Sequence, residues 1–287
     1  MCDSDNADFI VDTSVTRRSV VIGLSSVAAA AGLPAAARAT KVIETDVMVT
    51  TPDGQADAVL FHPAGRGAWP AVLLWPDILG LRPVFREMGR RLAAQGYTVL
   101  VPNPFYRTRR APIVTGMVDF ADKAAMGKLM ELKATLTDAR VDSDTRAYLG
   151  FLDQQKQVDR RKGVGVQGYC FSGPYTFRAA ALLPGRVKAA ASFHGGGLVT
   201  KGSSSPHLLI PNAKASFLVA IAQNDDQKQP DAKHILKATF ASAKRLATVE
   251  VYPADHGWCV AGSQAYNEPA AERAWHELSK LYRQTLG

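Results

Sequence analysis

The apolar residues of this chain fall into short runs that alternate with longer segments of helical spacing. Positions 42–50 alternate between apolar and polar residues as a strand with one wetted face does, Pro52-Asp53-Gly54 has the chemistry of a turn, and 56–62 reads as the returning strand. Residues 71–75 form a short continuous apolar run, the signature of a strand buried on both faces. Apolar residues then recur every three or four positions over 84–95, a pattern that stops at Gly96 and hands over to a strand at 97–101. Proline and arginine dominate 102–112, which predicts a loop, and 118–158 carries an amphipathic helical pattern. Further strands are predicted at 164–167, 189–193, 216–222 and 248–252, with helices at 173–183, 232–244 and 269–286. Strands separated by helices of this length imply an α/β fold: a mostly parallel, twisted sheet covered by helices on both faces. In such sheets function gathers at the carboxyl ends of the strands.

The first 39 residues stand apart from this pattern. A polar, acidic start leads to Thr16-Arg17-Arg18-Ser19-Val20-Val21-Ile22 and an alanine-rich run that ends at Ala37-Arg38-Ala39. Paired arginines before a mildly apolar run, followed by a small-x-small site, predict a twin-arginine signal over 1–39, cut by signal peptidase. Ser25, Ser26, Gly23 and Gly32 interrupt the run, which argues against a stable membrane anchor. The expected destination is the periplasm or the exterior, reached through the twin-arginine export machinery. Residues 40–287 contain no repeat, low-complexity block or linker and are read as one domain.

The net charge of +8 favours anionic partners in a general way. Its basic residues are scattered, however, apart from Arg107-Thr108-Arg109-Arg110, and no groove-reading motif or aromatic stacking platform accompanies them, so nucleic acid is not an expected partner. Cys2 falls within the leader, which leaves Cys170 and Cys259; in an oxidising compartment two cysteines raise the possibility of a disulfide.

Four strand-end loops carry residues able to act together. In Gly168-Tyr169-Cys170-Phe171-Ser172-Gly173 a strand runs straight into a helix, and the residues two before and two after Cys170 are small, as a nucleophile on a cramped turn requires. A cysteine at a helix amino terminus is also well placed to act as a thiolate. Gln223-Asn224-Asp225-Asp226 follows the strand at 216–222, and Ala254-Asp255-His256-Gly257-Trp258-Cys259 follows that at 248–252. The order nucleophile, acid, histidine is the order in which this device sits on an α/β-hydrolase sheet. A free thiol is mostly protonated at neutral pH and needs an imidazole as base, which in turn needs a carboxylate to orient it. Asp225 and Asp226 both remain open as that carboxylate. Trp75-Pro76-Asp77-Ile78-Leu79-Gly80-Leu81 follows the strand at 71–75, where such sheets supply one backbone N–H of an oxyanion hole; Ile78 and Phe171, the residue after the cysteine, are the candidate donors.

Gly-Tyr-Cys with its small followers, Pro-Asp-Ile-Leu-Gly-Leu, Pro-Asn-Pro-Phe-Tyr-Arg, Asn-Asp-Asp and His-Gly-Trp together resemble the dienelactone hydrolase family, from about residue 45 to the end. The resemblance implies an α/β-hydrolase fold and a cysteine-dependent hydrolase of small-molecule esters or lactones. It implies that Cys170 is nucleophile, His256 base and Asp225 orienting acid, with no metal or organic cofactor. Asp77 stands where the family often has a glutamate that helps switch the thiol to thiolate. Arg107 and Arg109 stand in the loop where family members bind a substrate carboxylate, whereas Val260 occupies the position beyond the histidine where a second arginine is found. Tyr106, Tyr169 and Trp258 are expected as pocket walls or core. Two other classes remain open: a binding relative switched by a Cys170–Cys259 disulfide, and a metal-dependent hydrolase using His194, His256 and Asp225.

Overall fold

The computed structural model describes residues 41–115 and 118–287; the leader expected over 1–39 lies outside them. Eight strands form one sheet: β1 (Val42–Thr51), β2 (Gly54–Pro63), β3 (Ala71–Trp75), β4 (Thr98–Pro102), β5 (Val164–Tyr169), β6 (Val187–Phe193), β7 (Ser216–Ala222) and β8 (Ala247–Tyr252). Their spatial order is β1-β2-β4-β3-β5-β6-β7-β8. The β1–β2 hairpin is antiparallel, β2 meets β4 antiparallel, and every pairing from β4 through β3 to β8 is parallel.

Alternation within the strands divides the core into two layers. Leu73, Val166, Ala190 and Val219 face one layer, which α3 (Asp138–Asp153), α4 (Gly173–Leu182) and α6 (Ala232–Ser242) cover with Tyr148, Phe177 and Phe240 among others. Val72, Leu74, Ala189, Ala191 and Leu218 face the other layer, where α1 (Pro83–Ala94) and α7 (Glu268–Leu286) contribute Phe85, Leu92, Trp275 and Tyr282. All residues of β3, β4 and β5 are buried, as expected of central parallel strands.

The helical stretch expected over 118–158 is two helices, α2 (Lys123–Ala134) and α3, separated at Thr135–Thr137. Thr137 caps α3, its Oγ1 accepting from the Arg140 N–H, so the amphipathic pattern continues across a break that capping chemistry fixes. The segment expected as a polar loop after β7 is a helix, α5 (Gln223–Lys228), whose first turn carries Asp225 and Asp226. Among the described residues no helix is long and apolar enough to cross a membrane.

Candidate active site

Cys170 follows the last residue of β5 and has φ +59°, a left-handed conformation that a side chain adopts at a cost. The chain reverses so closely that a Cβ on Gly168 would lie 2.3 Å from the Ser172 carbonyl oxygen, and one on Gly173 would lie 2.6 Å from the Gly195 Cα. Both clashes involve backbone that no rotamer change can relieve, so glycine is required at these positions. Ser172 pins the turn: its Oγ accepts from the Tyr169 N–H at 2.9 Å and lies 2.9 Å from the Tyr169 carbonyl and 3.1 Å from the Trp75 carbonyl. The sequence marks Ser172 only as small; this strap is a function that size alone does not reveal.

The turn delivers Cys170 Sγ to 3.1 Å from His256 Nε2. On the far edge of the imidazole, Nδ1 lies 2.6 Å from Asp225 Oδ2. Asp226, the alternative acid, points away and pairs with Lys233 at 2.6 Å. The imidazole loop is itself anchored by the His256 N–H, which donates to Asn224 Oδ1 at 2.9 Å, a positioning contact that the sequence did not single out. Burial pulls the His256 imidazole down, but its hydrogen bonds to Asp225 and Cys170 and their negative charges outweigh that effect and push its pKa up to about 10.

Ile78 and Phe171 both line the cavity above the thiol. The Ile78 N–H meets no acceptor among the described residues, while the neighbouring Leu79 N–H is taken by Asp77 Oδ1 at 3.0 Å. Phe171 is in the first turn of the helical segment, where N–H groups lack intrahelical acceptors. Asp77 lines the cavity, but both its carboxylate oxygens are held by the Arg82 guanidinium, at 2.5 and 2.8 Å. This pairing, unforeseen from sequence, commits the carboxylate to Arg82 rather than to Cys170.

Arg107 and Arg109 lie outside the cavity, and of the two placements expected for Tyr106, Tyr169 and Trp258 the structure shows the core. Arg107 is locked against the fully buried Asp144 at 2.7 and 2.8 Å and against Asp53, and it does not border the cavity. Arg109 is exposed, its carbonyl accepting from Asn103 Nδ2. Tyr106 is buried with its hydroxyl against Thr51 at 2.7 Å and Asp144 at 2.9 Å. Asp144 thus draws the Tyr106-Arg107 pair inward to satisfy a buried charge, a demand that motif matching could not see. Tyr169 and Trp258 are core residues: Tyr169 stacks on Phe193, its hydroxyl accepts from Gln167, and Trp258 stacks on Tyr252.

Both cysteines are free thiols. Cys259 is buried in the layer beneath α1 and α7, and that burial holds its thiol well above the ordinary range. Cys170 packs against the other layer, so the disulfide reading has no support in the geometry. Nor does the expected metal trio assemble: Asp225 occupies the Nδ1 edge of His256, while His194 lies with Cys170 and His256 on the opposite side.

The cavity has a volume of about 1010 Å³. Val118, Phe120, Met126, Met130, Leu136 and Tyr175 line it together with Cys170 and His256. Among the lysines and arginines that border it, Arg82 is spent on Asp77, and Lys133 has no carboxylate partner among the described residues.

A family model described as the dienelactone hydrolase family matches residues 56–286. A carboxymethylenebutenolidase of Rhodococcus opacus is 25% identical over 241 residues, covering 82% of this chain and 89% of that protein. Two solved structures bear on the fold alone. A dienelactone hydrolase-like promiscuous phosphotriesterase from metagenomic libraries superposes with a TM-score of 0.70 at 22% identity, over 86% of this chain and 99% of that one. The dienelactone hydrolase of Anabaena variabilis gives 0.61 at 16% identity, over 86% and 99%. Sheet order, a strained cysteine turn at the end of β5 and a family match spanning most of the sequence converge on one assignment: the chain belongs to the dienelactone hydrolase family of enzymes.

Proposed function

We propose that this enzyme hydrolyses lactones and carboxylic esters through a thioester on Cys170. The observation that carries the reading is the line Sγ–Nε2 at 3.1 Å and Nδ1–Oδ2 at 2.6 Å, in a cavity that Ile78 and Phe171 also line. Sγ bonds to the acyl carbon, and the carbonyl electrons move onto oxygen, where the two N–H groups offset the charge. The tetrahedral adduct collapses as the C–O bond breaks, and the His256 imidazolium gives its proton to the departing oxygen. In a lactone that oxygen stays attached to the acyl chain.

Acylation removes the thiolate that helps hold the proton on His256. The now neutral imidazole takes a proton from water, which attacks the thioester; the C–S bond breaks, and the thiolate and imidazolium are restored. Asp225 keeps Nδ1 protonated throughout, so that Nε2 faces the sulfur and the water.

The apolar wall favours a bulky, largely apolar acyl or alcohol group over a compact dianion, because Arg107 is committed to Asp144 and Arg109 lies outside the cavity. Initial rates with a panel of p-nitrophenyl esters and small lactones, on the wild type and Cys170→Ala, test the reading. Loss of at least about 10⁴-fold in the variant supports it, given the cost of removing a covalent nucleophile; turnover at the wild-type rate refutes it. We also propose export by the twin-arginine route, on the strength of Arg17-Arg18 and the run that follows. Fractionation of cells expressing the wild type and an Arg17→Lys/Arg18→Lys variant checks this: the variant is retained in the cytoplasm if the proposal holds, and wild-type export of the variant contradicts it.

A further inference from the structure

We propose that the site is also a binding site for a borderline-soft divalent metal ion such as Zn²⁺, held by Cys170 Sγ, His256 Nε2 and a ring nitrogen of His194, and that the bound ion switches hydrolysis off. The reasoning begins at His194, which the hydrolytic cycle does not use. It follows the last residue of β6 at φ +38°, its N–H donating to the Ala220 carbonyl at 2.8 Å, and only 1% of its surface is exposed. Neither ring nitrogen has a hydrogen-bond partner among the described residues. Leaving buried polar atoms unpaired costs about 1–3 kcal/mol each, so an imidazole held this way calls for a ligand.

The ring is directed at the site: it borders the cavity and meets the His256 ring edge-on with centroids 4.7 Å apart. One donor atom each from Cys170, His194 and His256 lie within 4.8 Å of one another. Tetrahedral zinc, with Zn–S near 2.3 Å and Zn–N near 2.0–2.1 Å, sets donors roughly 3.3–3.6 Å apart, so side-chain movements of at most about 1.5 Å close the set. One thiolate with two imidazoles selects zinc, cobalt or copper over the oxygen-seeking magnesium and calcium. Asp225 on Nδ1 of His256 supplies the carboxylate that commonly supports a metal-bound histidine. All three residues border the cavity.

The proton balance is simple. Whether written as thiol with imidazole or thiolate with imidazolium, Cys170 Sγ and His256 Nε2 share one proton; the ion takes a lone pair from each, and that proton leaves to solvent. Sulfur and base are then both occupied, so no acyl-enzyme forms until a chelator removes the ion.

The experiment titrates chelator-stripped protein with ZnCl₂ by calorimetry in buffers of different ionisation enthalpy, and with CoCl₂ by absorption. Ester hydrolysis is followed in parallel. Binding is read without turnover, so its outcome is independent of the hydrolytic reading. The expected results are one ion bound and one proton released per chain, a thiolate-to-cobalt charge-transfer band, and inhibition that EDTA reverses. His194→Asn, a residue type that tolerates positive φ, weakens binding by about 100-fold, at least the loss seen for outer-shell partners of metals. His194→Gln provides the same comparison should the asparagine variant fail to fold. Cys170→Ser abolishes the charge-transfer band, and the exposed His276→Ala binds like the wild type. Wild-type affinity in both His194 variants, absence of the charge-transfer band, or hydrolysis that rises with zinc overturns the proposal.

Discussion

Replacing Asp225 by asparagine conserves size and removes one negative charge from the Nδ1 edge of His256. The rise of the imidazole from 6.5 to about 10 corresponds to about 5 kcal/mol of preference for the protonated ring, since each pKa step is worth about 1.36 kcal/mol. Burial opposes that preference, and Asp225 and Cys170 share in creating it. If Asp225 supplies about half, its loss costs about 2–3 kcal/mol, or roughly 30- to 150-fold in the population of the ion pair. An asparagine amide can also donate to Nδ1 and thereby fix the wrong tautomer, with Nε2–H turned toward the sulfur; in a serine triad that error costs about 10⁴-fold. The expected loss in kcat/KM is therefore between about 10² and 10⁴-fold. Stopped-flow hydrolysis of a p-nitrophenyl ester gives the rate, and NMR titration of the His256 ring gives its proton affinity, which should fall toward 6.5. A loss below tenfold with an unchanged titration would refute the role assigned to this carboxylate. Asp226→Asn serves as the control, because Asp226 faces Lys233.

Arg107→Ala should destabilise the fold by about 3–5 kcal/mol, because it strands the buried Asp144 charge, while leaving the preference between neutral and anionic esters unchanged. Urea denaturation and a substrate panel check the two halves, and an intact fold with altered charge preference would restore the arginine to the substrate site. Of the two cysteines among the described residues, iodoacetamide should label Cys170 in the native protein and Cys259 only after unfolding; peptide mapping that finds native Cys259 modified would contradict its burial. On the alkaline side, kcat/KM should fall as pH rises through about 10, because the imidazolium raised by Asp225 and Cys170 loses the proton it gives to the leaving oxygen. A profile declining instead near 6.5 would mean that the imidazole is not held by this pair.

Much of the fold was legible because its signals are local and repeated. Eight apolar runs, each bounded by turn chemistry or a helical period, correspond to the eight strands, and the segments just past the carboxyl ends of β5, β7 and β8 carry Cys170, Asp225 and His256. Gly168 and Gly173 announced the cramped turn before its clashes could be measured. What stayed hidden depends on partners that lie outside the motifs. Asp144, in the middle of an amphipathic helix, looks like a solvated residue until burial forces it to recruit Tyr106 and Arg107, and that recruitment removes both from the cavity. Arg82 lies five residues after Asp77, outside the motif that drew attention to the aspartate, yet its guanidinium decides what that carboxylate does. Sequence offers His194 as a candidate metal ligand but cannot show that both its ring nitrogens lack partners among the described residues. The break between α2 and α3 was masked because the apolar period runs through it, and only the Thr137 cap marks it.

The central claim is that the acyl group passes through the Cys170 sulfur. Acid quenching within the first turnover of a slowly hydrolysed ester, followed by mass spectrometry of the intact chain and its peptides, tests it most directly. The account predicts a transient mass increase equal to the acyl group on the peptide carrying Cys170, sensitive to hydroxylamine and absent from Cys170→Ala. Steady hydrolysis with an unmodified Cys170 peptide at every quench time, or the acyl group on another residue, would contradict it.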